Sequence, residues 1–357
     1  HMRRTYREGV SQTSSRYLFL AFFRPFRKRG RTGNAAMPAS ATPQAAQAAP
    51  PVSVLTASYN YERWLPEAAH SVLAQTFGNL ELLLLEDGSS DGSADVARAI
   101  AAGDARARVL FHPGGGNRGL PATLRLGLEH ARGTWIAFLE ADDVWLPRAL
   151  EARLDAARRH NAGLVFCGID PLVHDAAALD WFEGYVPRVL RGHGRAQRAA
   201  RAGGRPWGLA GNCLVENPIP TFSCALVRAD VLRACQWEAP VPRWLDWWIW
   251  CQLALGADAT AGTEGRPPVA AAFVPEALVR WRLHGASQHH SPGASYLADQ
   301  ARMARALRRL PGLRLSPLQR AFLALPAPLR LAVRAARMMA HESPLAVSRR
   351  VRRRLGV

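Results

Sequence analysis

With 357 residues, 48% of them apolar, the chain is long enough for one large domain or two modest ones around a sizeable core. Its net charge of +18 suggests a nucleic-acid partner. That charge sits at the ends, however: nine Lys/Arg against one acid give +8 in residues 1–36, fourteen Arg against one acid give +13 in residues 301–357, and residues 37–300 carry −3. The mildly acidic body excludes a base-reading surface, so nucleic acid is not expected as a partner, and the basic ends read as solvated or membrane-surface elements.

Residues 1–50 read as a disordered leader, basic at first and then rich in Ala and Pro. His1-Met2 resembles a cloning scar and Met37 opens an ordinary start, so residues 1–36 are suspected to be foreign to the natural protein. The apolar run at 17–23 is closed at once by Arg24, and no segment reaches the ~20 apolar residues that span a bilayer.

Order is expected from Val52. PVSVLTASYN reads as a buried strand ending in polar turn residues, and 62–76 as a helix with Leu65, Ala69, Val72 and Leu73 on one face. LELLLLEDGSSDGS is a second strand breaking into a Gly/Ser/Asp loop, followed by a helix at 93–103. A third strand and glycine-rich loop occupy 107–119, and a helix follows to Gly133. TWIAFLEADDVW, at 134–145, reads as a fourth strand ending in carboxylates, and 147–161 as a helix with Pro147 in its first turn. Beyond it come a strand at 164–170, an Arg/Gly-rich insertion at 185–210 and a strand and helix in 217–235. A Trp-rich helix at 243–256 and a strand leading to a histidine-bearing loop at 271–291 follow. Past Tyr296 the pattern is of Arg-rich helices broken by prolines. Strand and helix alternate, which predicts a doubly wound α/β sheet binding ligands beyond the carboxyl ends of its strands. No GxGxxG follows the first strand, which disfavours a dinucleotide site. Five cysteines without a CxxC pair fit a reducing cytosol, and a cytoplasmic protein is expected.

The strand ends carry the chemistry. Glu140, Asp142 and Asp143 together are costly to bury unless a cation neutralises them, and a hard divalent ion such as Mg or Mn suits carboxylates and phosphates. The alternative for Asp143 is a helix N-cap. Asp87 could accept a hydrogen bond from a base or ribose, or merely form the turn before Gly88. Tyr59, at the end of the first strand, could stack on a base or simply turn the chain. His284 could reach a metal or diphosphate, or face solvent; His289 and His290 read as surface residues. Asp246 lies among Trp244, Trp247, Trp248 and Trp250, whose apolar setting would raise its pKa toward a general base's, although a helix N-terminal Asp has the same pattern.

Taken in order, SVLTASYNYERWLPEAAHSVLAQTF, ELLLLEDGSSDGS, GTWIAFLEADDVWLP, NPIPTFSCALVR, WLDWWIWCQLA and VRWRLHGAS resemble the family 2 glycosyltransferases of the GT-A fold. The resemblance covers roughly residues 51–291. It implies a GT-A, Rossmann-like domain over 51–295, with a nucleotide-sugar half (51–161) and an acceptor and catalytic half (162–295), then an Arg-rich helical extension over 296–357. It also implies sugar transfer from a nucleoside diphosphate sugar, most commonly a UDP-sugar, with inversion. Ala57, Tyr59, Glu62, Asp87, Arg125 and Asp142 would bind the nucleotide sugar. Asp142 would be the principal ligand of a Mn or Mg ion, with Glu140, Asp143 and His284 nearby, and Asp246 would be the catalytic base. Glu140 stands where the family has Asp, Arg125 where it often has Asn, and Leu245 and Trp248 where acids are frequent.

The acceptor is expected to be a glycan or lipid-linked hydroxyl, as in cell-surface polysaccharide assembly. Residues 329–339 place apolar residues between arginines, which suits either an anionic membrane face or a solvated helix. Peripheral association through 301–357 with the inner face of the cytoplasmic membrane is the corresponding expectation. The rival readings are a non-catalytic nucleotide-sugar-binding scaffold and a sugar-phosphate nucleotidyltransferase. The latter would need a glycine-rich, Arg/Lys-bearing loop after the first strand, which TASYNYERW lacks.

Overall fold

A computed structural model describes residues 52–174, 213–214, 217–257, 266–284, 296–313 and 315–339, the last helix with side chains to Val333. The expected leader (1–50), the insertion at 185–210 and His289 and His290 lie outside the described residues.

The apolar runs become strands and the runs with helical spacing become helices, close to the expected positions. In chain order they are β1 (Val52–Ser58), α1 (Leu65–Leu73), β2 (Leu80–Glu86), α2 (Ser93–Gly103), β3 (Ala107–Phe111), α3 (Leu120–His130) and β4 (Trp135–Phe138). There follow β5 (Val144–Trp145), α4 (Ala149–His160), β6 (Leu164–Val173), β7 (Ala225–Arg228), α5 (Ala229–Arg233), α6 (Leu245–Leu255) and β8 (Ala271–Leu283). The last helices are α7 (Tyr296–Arg309), α8 (Pro317–Ala324) and α9 (Ala327–Met339).

One eight-stranded sheet has the order β3-β2-β1-β4-β7-β6-β8-β5. β3, β2, β1 and β4 run parallel, which requires a helix on each crossover. β7 is antiparallel to both its neighbours, β8 is parallel to β6, and β5 is antiparallel to β8. β2 is buried along its whole length, as expected for a strand covered on both faces.

The reading of 134–145 as one strand is corrected. β4 stops at Phe138, a turn closes with Asp143 N–H donating to Glu140 C=O at 3.0 Å, and the chain re-enters the sheet at its far edge as β5. The acidic residues therefore occupy a crossover between the middle and the edge of the sheet. Nor does Asp143 cap α4, whose N-cap position is Arg148.

α6 is buried all round: ten of its eleven residues are inside, and the exception is Asp246. A helix of this kind belongs to the core, so a lone carboxylate in its first turn marks an opening. All five cysteines are buried, and none forms a disulfide.

The C-terminal prolines start helices as well as separating them. Pro317 opens α8 behind a Ser316–Gln319 capping box. α7 docks on the turn before α6: the buried Asp299 carboxylate takes both Arg243 and Arg302, and Tyr296 meets Trp244 edge-on at 5.6 Å. In α9, Arg330 turns inward, donating to the carbonyls of Leu325 and Gln300 (2.8 Å to the latter), while Leu329 and Val333 remain exposed. Among the described residues no helix is long and apolar enough to cross a membrane.

Candidate active site

Where β1 and β2 end, short polar side chains stitch two loops together. Asn60 adopts the left-handed conformation (φ 61°) and its side-chain oxygen accepts the Ser90 N–H at 2.8 Å, while its own N–H donates to Ser89 Oγ at 3.0 Å. Tyr61 N–H donates to Ser93 Oγ at 2.8 Å, and Gly92 N–H to Glu62 at 3.0 Å. Glu86 accepts from Ser89, and Asp91 from Ser93 and the Glu62 N–H. Asp87 reaches the third loop, its two oxygens accepting the N–H groups of Arg118 and Gly119 at 2.7 and 3.0 Å. Gly88 has φ 75°, and a Cβ there would lie 2.4 Å from the carbonyl carbon of Gly116, so no other residue fits this junction.

The acidic turn is held by a different segment. Thr221 donates its hydroxyl to Glu140. Ser223 donates to Asp143 Oδ2 at 2.6 Å and accepts the Glu140 N–H at 3.0 Å. The carbonyl of Ser223 is in turn fixed by Trp145 Nε1 (2.9 Å) and the fully buried Arg153 (3.3 Å). From β8, the Arg282 N–H donates to Asp143 Oδ1 at 2.9 Å, its guanidinium to the Asp142 carbonyl at 2.7 Å, and His284 Nε2 meets Asp142 Oδ2 at 3.0 Å.

These carboxylates crowd one another in a largely buried setting, with only Asp143 fully inside. Burial and the neighbouring charge of Asp142 push Glu140 up to about 8, with Asp246 adding to the effect and the Thr221 bond opposing it. Burial, Asp142 and Glu140 likewise push Asp143 well above the usual range, against its bonds to Ser223 and the Arg282 N–H. The Tyr61 phenol is raised by burial and by the same three acids. At Asp246, burial raises the carboxyl to about 7, opposed by donors from the Trp247 N–H (2.7 Å) and Asn217 (2.6 Å).

Glu140, Asp142 and Asp246 face one open cleft, together with Ala57, Tyr61, Thr221, Arg243 and Arg282. The donor set suits a hard cation. Among the described residues no three acid, His or Cys side chains close a metal cage. Asp142 and His284 are two adjacent donors, as for an ion that takes its other ligands from phosphate oxygens.

The other expected site residues are placed differently. Asp143 is 1% exposed, does not line the cleft, and has both oxygens engaged, which makes it an anchor of the turn. Tyr59 is 43% exposed and off the cleft, whereas Tyr61, two residues on, lines it. Glu62 and Asp87 are engaged in holding loops. Arg125 pairs with Glu238 at 2.8 Å and lines a separate hollow. Sequence reasoning missed Tyr61, Asn217, Thr221, Ser223 and Arg243. The one available signal was the clustering of polar residues in NPIPTFS between two prolines and a strand.

The sequence profile described as "Glycosyl transferase family 2" matches residues 53–199. Residues 53–199 belong to glycosyltransferase family 2. The glycosyltransferase domain is 32% identical over 133 residues to TuaG of Bacillus subtilis, assigned by name to teichuronic acid biosynthesis; the match covers 37% of this chain and 52% of that one. It is 31% identical over 115 residues to WfgD of Escherichia coli, named as a UDP-Glc:α-D-GlcNAc-diphosphoundecaprenol β-1,3-glucosyltransferase, over 32% of this chain and 44% of the relative. The chain thus matches about half the length of these relatives. Among solved structures, the mannosyltransferase PcManGT from Pyrobaculum calidifontis with GDP-Man and Mn2+ superposes with a TM-score of 0.51 at 17% identity, covering 84% of this chain and 78% of that one. The fold is GT-A.

Proposed function

We propose that this protein is an inverting, metal-dependent glycosyltransferase that moves a sugar from a nucleoside diphosphate sugar, a UDP-sugar in the first instance, to an acceptor hydroxyl. The observation that carries this reading is the shared cleft: Asp246, with a carboxyl titrating at about 7, opens into the same space as Asp142 and Glu140. A base poised near the working pH is what proton transfer from a hydroxyl requires. The acceptor oxygen attacks the anomeric carbon as its proton passes to the Asp246 carboxylate, and the bond from that carbon to the diphosphate oxygen breaks. The nucleotide leaves with the electron pair. Asp142 and His284 would hold a Mn or Mg ion, which when bound supplies positive charge to the leaving diphosphate. Arg282, stacked on Trp64 at 4.2 Å and tied to Glu67, steadies the acidic turn through the Asp142 carbonyl and the Asp143 carboxylate.

The lipid-linked acceptor in the name of the Escherichia coli relative supports a lipid-linked or cell-surface glycan acceptor here. The exposed Leu318, Leu329 and Val333, near the exposed Arg305, Arg308 and Arg320 in sequence, support peripheral contact of the C-terminal extension with an anionic membrane.

A thermal-shift panel of UDP-, dTDP- and GDP-sugars, with and without Mn2+, tests the reading. One nucleotide sugar should stabilise the protein only with the ion present, and should then be slowly hydrolysed without acceptor. No shift with any donor would sink the reading, full turnover in EDTA would remove its metal part, and binding without hydrolysis would favour a scaffold.

A further inference from the structure

The seven residues from Asn217 to Ser223 touch both chemical ends of the cleft. At one end, Thr221 and Ser223 hold Glu140 and Asp143. At the other, Asn217 Nδ2 donates to Asp246 Oδ2 at 2.6 Å. Between them lie Pro218 and Pro220, which fix φ at two of the intervening positions. Thr221 and Pro220 also line the cleft.

The amide of Asn217 has only one workable orientation. Its Oδ1 accepts the Ile219 N–H at 3.2 Å, and a backbone N–H can only donate. The amide nitrogen is therefore committed to Asp246. The second carboxylate oxygen, Oδ1, accepts the Trp247 N–H at 2.7 Å, so both oxygens are pinned. One donor comes from the helix of Asp246 itself, the other from a segment anchored on the acidic turn.

We propose that Asn217 is the positioning residue of Asp246, and that residues 217–223 form a proline-stiffened spacer fixing the base relative to the acidic turn. The inference rests on the base reading above. It adds a residue that touches no substrate and acts through the carboxylate it orients. Donation to the ionised form also favours that form, so Asn217 opposes the upward push that burial exerts on Asp246. Among the described residues, Glu140 on the acidic turn and the buried Cys213 thiol interact electrostatically with Asp246, and Tyr61, Asp142, Arg243 and Arg282 line the same cleft.

The informative variant is Asn217→Asp. It keeps an oxygen for the Ile219 N–H, and so keeps the turn, but replaces the donor to Asp246 with an acceptor. Asn217→Ala removes both bonds. Protein labelled with 13C at aspartate carboxyls, the Asp246 signal being the one absent in Asp246→Asn, gives the titration directly and without any ligand. A midpoint near 7 is expected in the parent. It should rise by about one unit or more in Asn217→Ala, and by more in Asn217→Asp, where two carboxyls face each other. A midpoint in Asn217→Asp equal to the parent's overturns the proposal. The base reading fails separately, if Asp246→Asn releases UDP from UDP-glucose as fast as the parent does.

Discussion

The loops after β1 and β2 and the turn after β4 are both dense in short polar and acidic side chains, yet they differ in how that polarity is settled. In the first region each carboxylate is answered locally: Glu86 by Ser89, Asp91 by Ser93, Glu62 by the Gly92 N–H, and Asp87 by two N–H groups of the glycine-rich loop. In the second, Glu140, Asp142, Asp143 and Asp246 have hydroxyls and amides for partners but too few cations, and burial pushes three of them upward. The first region is a finished cradle. The second is an electrostatic deficit that a cationic ligand would relieve, and a deficit of that kind is where chemistry concentrates.

Asp246→Asn should break the second region most severely. It keeps the shape of the side chain and removes its basicity, so turnover should fall roughly 10²–10⁴-fold, the usual span for a general base. Donor-induced thermal shifts should survive; their loss together with turnover would place Asp246 in binding instead. The pH profile sharpens the same contrast. Asp246 must be ionised to accept a proton and titrates at about 7. The rate should therefore fall about tenfold per unit below that pH and level off above it. A flat profile from pH 5 to 8 would show that this carboxylate is not the group that titrates in catalysis. The smallest effect belongs to the cradle. Gly88→Ala forces a side chain into positive φ and against Gly116, and should cost about 2 kcal/mol of stability, read from chemical unfolding. A cost indistinguishable from zero would mean that this junction is looser than its geometry implies.

The same contrast explains what was readable from sequence. Strands such as LELLLLE and the helices between them announce themselves by burial and period, so the alternating α/β order and the position of Asp246 in a Trp-rich helix were accessible. The acidic cluster was accessible too, because three carboxylates ending an apolar run are costly to place anywhere ordinary. Its division between β4 and β5 was not, since the turn is held by Ser223 and Arg282, some 80 and 140 residues further along the chain. Tyr59 and Tyr61 stand two residues apart, and only the tertiary path of the loop decides which faces the cleft. For Arg125 the family resemblance is the only guide in the sequence, because its partner Glu238 comes from a distant loop that no local pattern announces.

The docking of α7 also bears on where a working fragment of this protein can be cut. Ending the chain near 295, at the border drawn from sequence, would strip Asp299 from Arg243 and Tyr296 from Trp244. The turn that launches Asp246 would then carry a guanidinium stripped of its buried carboxylate partner. Arg243 is three residues before Asp246, so the tail and the cleft share one hinge of structure. The smallest portion expected to keep the geometry of Asp246 therefore runs through Arg309, with α7 as a brace behind the segment that lines the cleft.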